Sequence, residues 1–197
     1  MREKIIVLDF GGQYNQLIAR RVREMGVYCE IHPFNAPFEK WADEDLRGVI
    51  LTGGPNSGYA EGAPRLGREL LTLEVPVLGI CYGMQVINHM MGGSVTHASV
   101  SEYGHTELKV LGGRLLSGVS SETVVFMNHT DFVAEAPEGF AVEATTHNCP
   151  VAAFSNAGEG LYAVQFHPEV NHTIEGRTIL KNFVLDICGC AGDYRAE

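Results

Sequence analysis

Short, continuously apolar runs alternate with stretches of three- and four-residue apolar spacing through the first third of the chain. This alternation limits the fold more than any other feature of the sequence. "KIIVLDF" (4–10) is β-branched and apolar, and Gly11-Gly12 breaks it. "QYNQLIARRVREMG" (13–26) then places Tyr14, Leu17, Ile18, Val22 and Met25 at helical spacing, with Gly26 where a C-terminal cap belongs. "VYCEI" (27–31), "GVILTGGP" (48–55) and "VPVLGI" (75–80) read as further strands, and "PRLGRELLTL" (64–73) as a helix. Strands that are apolar on both sides need cover on both sides, so an α/β fold is expected: an open, mainly parallel central sheet with helices on both faces.

The second half changes period. "TELKVL" (106–111), "TVVFMNH" (123–129), "FVAEA" (132–136), "FAVEAT" (140–145), "PVAAFS" (150–155) and "LYAVQFH" (161–167) are short strand-like runs between Gly, Pro, Asn and Asp turns. Antiparallel strands added to the sheet fit best. "TIEGRTILKNFVLDICG" (173–189) returns to helical spacing and predicts a closing helix. Residues 1–190 are expected to form a single domain and 191–197 a tail or the start of a linker.

The formal net charge of −10, from 24 acidic against 14 basic residues, offers nothing for nucleic acid or an anionic membrane to hold. With no long apolar run and no signal-peptide layout at "MREKIIVLDF", a cytoplasmic location is expected. Five cysteines form an odd set in a chain large enough to need no staples, so free thiols are expected. Cys188 and Cys190 lack a second pair to complete a zinc site, and no metal is expected.

One cysteine stands apart. Gly79-Ile80-Cys81-Tyr82-Gly83 has the spacing of the G-x-S-x-G nucleophile elbow, with the strand before and the helix after that the elbow requires. A nucleophile on so tight a turn takes strained backbone angles, and side chains at the flanking glycines would collide. The amides opening the helix "YGMQVINHMM" favour a sulfur anion there. Free cysteines often do no more than pack, so the spacing alone leaves both readings open, and a base must separate them.

His167 supplies it. Pro168 holds the residue before it in extended backbone, and side chains two apart on an extended segment project to one side. His167 and Glu169 then make a base with an orienting carboxylate. "LTGGPNSG" (51–58) follows a strand of the same sheet, whose C-terminal ends gather at one edge. The Gly54 and Tyr82 amides are placed to form an oxyanion hole there. Gly11-Gly12 lacks the spacing of a phosphate loop.

Taken together, the glycine-bracketed Cys81 in "GICYGMQ", the "GGP" turn and "HPE" resemble the class I, or triad, glutamine amidotransferases. "LDFGGQYNQLIARRVREMGVYCEI", "FMNHTDFV" and "VQFHPEVNHT" narrow the likeness to the amidotransferase domains of GMP synthetases, over nearly the whole chain from Ile5 to about Cys190. That family often reads "SHGD" where this chain has "NHTD". The resemblance implies a flavodoxin-like sheet, a triad of Cys81, His167 and Glu169, and the oxyanion hole at Gly54 and Tyr82. It also implies contacts to L-glutamine from Gln85 and from Asn128, His129, Thr130, Asp131 and Phe132, the latter largely through backbone. The implied reaction is hydrolysis of glutamine to glutamate and ammonia through a thioester. An ATP-pyrophosphatase domain or subunit, converting XMP to GMP, is then expected as partner. ATP and Mg are expected only on that partner, with no cofactor in this chain, because the "SGGVDS" pyrophosphate loop is not in this sequence. Two other readings share the residues: an amidotransferase serving anthranilate, aminodeoxychorismate or carbamoyl phosphate synthesis, and a non-catalytic binding module.

Overall fold

The computed structural model describes residues 2–54 and 66–195, with backbone alone at 98–100. Its strands are β1 (Lys4–Asp9), β2 (Tyr28–Pro33), β3 (Leu46–Thr52), β4 (Val77–Ile80), β5 (Thr96–Val110), β6 (Glu122–Phe132), β7 (Ala141–Thr145), β8 (Ala153–Asn156) and β9 (Leu161–Val164). Among the described residues they form one nine-stranded sheet in the order β2-β1-β3-β4-β9-β8-β7-β5-β6. The first five in that order are parallel and the last four join antiparallel; β9, expected among the antiparallel additions, instead pairs parallel with β4 and antiparallel with β8, and so joins the two halves.

The apolar strands bury both of their sides. Ile5 and Val7 of β1, with Ile50, Leu78 and Val164, meet Ile18 and Val22 of α1 (Asn15–Glu24) and Ile179 and Leu180 of α3 (Gly176–Lys181). Ile6 and Leu8, with Val49, Leu51 and Val77, meet Met84, Ile87 and Met90 of α2 (Tyr82–Met90) on the other face. Period-two strands sandwiched between helices therefore carry the core.

Four elements differ from expectation. The helix expected over 64–73 is a 3₁₀ segment at Arg68–Leu73, and residues 64–65 lie outside the described part. Glu74 ends it at φ 54, and Val75 precedes Pro76, where helix is disfavoured. β5 begins ten residues earlier than "TELKVL", because pairing with β6 from Thr96↔Phe132 to Lys109↔Glu122 holds a polar stretch extended. Of the strand expected at 132–136, only Phe132 is in a strand, as the end of β6. β9 stops at Val164: Gln165 N–H then donates to Ala152 O (2.8 Å) and His167 N–H to Phe126 O (3.1 Å), so the chain leaves the ladder before His167. The closing helix is α3 running into a π-helical turn at Asn182–Ile187, where Cys188 N–H reaches back to Phe183 O at 2.8 Å. Beyond it, Tyr194 N–H donates to Gly26 O (2.8 Å) and the Tyr194 ring meets Tyr28 edge-on. No helix among the described residues is long and apolar enough to cross a membrane.

Candidate active site

Cys81 sits between β4 and α2 with φ 56 and ψ −107, a backbone conformation that side-chain-bearing residues rarely adopt. The flanking glycines are required by contact. A Cβ on Gly79 would lie 2.5 Å from Gly83 O, and one on Gly83 would lie 2.1 Å from Leu51 O. β4 and β9 are parallel neighbours, and Cys81 N–H donates to Val164 O at 2.8 Å, so the segments leaving both strands emerge at the same edge of the sheet.

That adjacency brings His167 to Cys81. His167 Nδ1 is 2.6 Å from Glu169 Oε1, and the ring shares the cavity lining with Cys81, near enough for the sulfur to bear on its proton. Burial by itself would lower the proton affinity of His167. The hydrogen bonds and negative charges of Cys81 and Glu169 outweigh it and raise the pKa from the ordinary 6.5 to about 11. Both neighbours thus favour the protonated ring. Glu169 is fully buried, and its backbone carbonyl accepts from Arg21 Nε at 3.1 Å. Thr173 Oγ1 donates to His167 O (2.6 Å) while accepting from Phe126 N–H (2.9 Å), and the Tyr14 ring meets the imidazole edge-on at 5.2 Å. The histidine is fixed from every side.

Cys81 and His167 open onto a cavity of about 270 Å³, near the lower end of the roughly 300–1,000 Å³ usual for small-molecule sites. Gly54 and Tyr82 line it, and a Cβ on Gly54 would lie 2.3 Å from the Tyr82 ring, so this turn can close on the elbow only as glycine. Pro55 and the rest of the expected turn to Gly58 lie outside the described residues.

Gln85, Asn128, His129 and Thr130 also line the cavity. Gln85 Nε2 donates to Asp131 O at 3.2 Å, and its Oε1 is buried without a partner. Asn128 O lies 3.6 Å from the Cys81 sulfur, and Thr130 Oγ1 pairs with Ser101 Oγ at 3.1 Å. Asp131 and Phe132 are not brought into the lining. The Asp131 side chain is buried against His97 Nδ1 (2.7 Å), and Phe132 pairs with Thr96 and packs on the core.

Several residues of the site escape the sequence reading. Gln165 Nε2 lies 3.6 Å from the Cys81 sulfur, and the side chain is fully buried. The two-residue spacing from His167 was the available signal. Gly11 to Tyr14 form one wall, because a Cβ on Gly12 would sit 2.1 Å from Gly53 Cα and the two glycine turns interlock. The other cysteines, Cys29, Cys149, Cys188 and Cys190, are buried. Burial pushes the thiols of Cys29 and Cys149 up to about 12 and that of Cys190 to about 11. Among the described residues no three His, Cys, Asp or Glu side chains gather as a metal-holding group.

The model of the class-I glutamine amidotransferases matches residues 6–187. The chain belongs to that family. It is 53% identical over 197 residues to the GMP synthase [glutamine-hydrolyzing] of Clostridium botulinum (strain Alaska E43 / Type E3), spanning all of this chain and 38% of that protein. The corresponding protein of Carboxydothermus hydrogenoformans is 53% identical over 198 residues, 39% of its length. The chain thus spans about two-fifths of the length of these relatives. Among solved structures, a putative GMP synthase subunit from Thermoplasma acidophilum superposes with a TM-score of 0.81 at 32% identity, covering 96% of this chain and 95% of that one. A glutamine amidotransferase from Thermotoga maritima, at 18% identity and a TM-score of 0.69, shares the fold.

Proposed function

We propose that this chain hydrolyses the side-chain amide of L-glutamine and delivers the ammonia to an ATP-pyrophosphatase partner that converts XMP to GMP. The observation that carries the reading is a single contact set: His167 held between the Cys81 sulfur and Glu169, at the mouth of a cavity sized for an amino acid.

The chemistry follows from the charges. The Cys81 thiolate attacks the carboxamide carbon, and the displaced π electrons settle on oxygen facing the Gly54 and Tyr82 amides. Collapse of the tetrahedral adduct expels nitrogen, which takes the imidazolium proton of His167 and leaves as ammonia. Sulfur in the resulting thioester is neutral. Both contributions of Cys81 to the proton affinity of His167 are then lost, and burial opposes Glu169 alone. The same ring that holds a proton firmly in the free enzyme becomes a base for water once the acyl group is attached. Water's proton passes to His167, hydroxide adds to the thioester carbon, and glutamate departs as the thiolate reforms.

The GMP synthase relatives favour XMP amination over anthranilate, aminodeoxychorismate or carbamoyl phosphate synthesis. ATP and Mg belong to the synthetase partner in this reading, and the chain itself works without a cofactor. Direct handover has a chemical motive, since ammonia released to neutral water is mostly protonated and no longer nucleophilic. The test is a glutaminase and GMP-synthesis assay with and without an ATP-pyrophosphatase partner. Cys81→Ala is expected to abolish glutamine-dependent synthesis and leave ammonia-dependent synthesis intact; equal loss of both would make Cys81 structural.

A further inference from the structure

Behind the cavity wall lies a buried polar chain that the triad does not use. Glu102 of β5 and His129 of β6 are directly opposite in the antiparallel pairing, with Glu102 Oε1 2.8 Å from His129 Nε2. Both side chains are nearly sealed, at 9% and 3% exposure. The second Glu102 oxygen accepts from Thr146 Oγ1 at 3.4 Å. On its far side, His129 Nδ1 is 2.9 Å from Asp131 O, the same carbonyl that accepts from Gln85 Nε2 at 3.2 Å.

Hydrogen-bond chemistry dictates the protons. A carbonyl oxygen only accepts, so His129 Nδ1 carries hydrogen. Its Nε2 faces a carboxylate oxygen, and one further proton must lie between them. The pair therefore fixes both the tautomer and the ring plane, and the ring in turn fixes the Asp131 carbonyl. With that carbonyl holding Gln85 Nε2, the Gln85 amide cannot turn over without losing its bond. Its other atom, Oε1, is a buried acceptor without a partner on a side chain that lines the cavity. A buried unpaired acceptor beside a binding cavity calls for a donor from the ligand.

We propose that Glu102 is a positioning residue for glutamine recognition, acting through His129 and the Asp131 carbonyl to present Gln85 Oε1 to a donor group of the substrate. This rests on the glutamine reading above. Glu102 reaches neither the Cys81 sulfur nor His167 in its hydrogen bonding, so its loss weakens ligand binding and spares the nucleophile.

The experiment is protection of Cys81 by glutamine against iodoacetamide, a reagent too small to need the binding wall, followed on the full chain. Glu102→Ala is expected to raise the glutamine concentration for half-protection by about tenfold or more, the loss of roughly one buried hydrogen bond to a charged group. The alkylation rate without glutamine should stay within about twofold. Glu102→Gln can donate its amide to a neutral His129 and should recover most of the loss. Thr146→Val, which removes one contact with little change of volume, should shift half-protection about two- to threefold, and it carries the test if Glu102→Ala does not fold. Protection in the wild type that neither Glu102→Ala nor Thr146→Val alters would overturn the inference alone, as would Glu102→Gln behaving like Glu102→Ala. A parallel loss of bare alkylation in both variants would overturn it too, making the role structural. Wild-type chain that glutamine does not protect would overturn the glutamine reading and this inference with it.

Discussion

Glu169 Oε1 lies 2.6 Å from His167 Nδ1, while its other oxygen, Oε2, is buried without a partner. The carboxylate thus serves the histidine alone among the side chains around it, which makes it an orienter and not a proton carrier. Glu169→Gln keeps the shape and one hydrogen bond but removes the charge. It should lower kcat by roughly 10²-fold, against about 10⁴-fold or more for His167→Ala. Steady-state glutamate release would check the order; a reversed ranking contradicts these roles.

The proton on His167 gives a pH signature. Its folded pKa of about 11 lies above the ordinary 6.5, so the stability it contributes is complete below pH 6.5 and drains away as pH rises towards 11. Cys81→Ala removes two of the causes holding the proton and should let the ring titrate at lower pH than in the wild type. Nitrogen NMR of the imidazole reads this directly, and identical titration in the two proteins would separate the sulfur from the ring.

Gly83→Ala forces a methyl to within 2.1 Å of Leu51 O. Backbone cannot yield there without moving β3 against the elbow, so we expect a stability loss of about 1–3 kcal/mol, in line with overpacked cores. Activity should fall further than stability alone explains. Denaturant melts and alkylation of Cys81 measure the two separately; a variant as active as wild type would mean the turn has room to spare.

Gln165 Nε2 is the one side-chain amide among the described residues placed on the Cys81 sulfur. Gln165→Leu, similar in volume, removes a donor to the anion and should slow acylation by about tenfold. Single-turnover labelling with a glutamine-mimicking diazo-ketone would show it. An unchanged rate would leave Gln165 a packing residue.

How far these features can be read from sequence depends on how local their causes are. The elbow is local: a tight strand-to-helix turn needs Gly79 and Gly83 whatever else surrounds it, and their spacing about Cys81 announces it. His167 and Glu169 are local too, two positions apart in the sequence, although Pro168 and Glu169 lie in a turn beyond β9 and not in the extended chain that the spacing suggests. The alternation of periods announced four of the five parallel strands and an antiparallel extension, but not that β9 joins the parallel half beside β4. β5 was legible only in its last third, because Thr96 to His105 hold no apolar run and are kept extended by partners on β6 at Thr96, His97 and Glu102 to His105.

What tertiary structure alone decided is which distant residues meet. Nothing in "VPVLGI" or "LYAVQFH" says that β4 and β9 lie side by side; the sheet order does, and it carries Cys81 and His167 to one edge. The same holds for Gln165 on the sulfur, for Gly12 against Gly53, and for Glu102 across from His129. Backbone conformation and side-chain direction follow from a few neighbouring residues, and the sequence determined them. Contacts between remote segments follow from how the whole apolar surface is buried at once, and only the folded sheet could settle those.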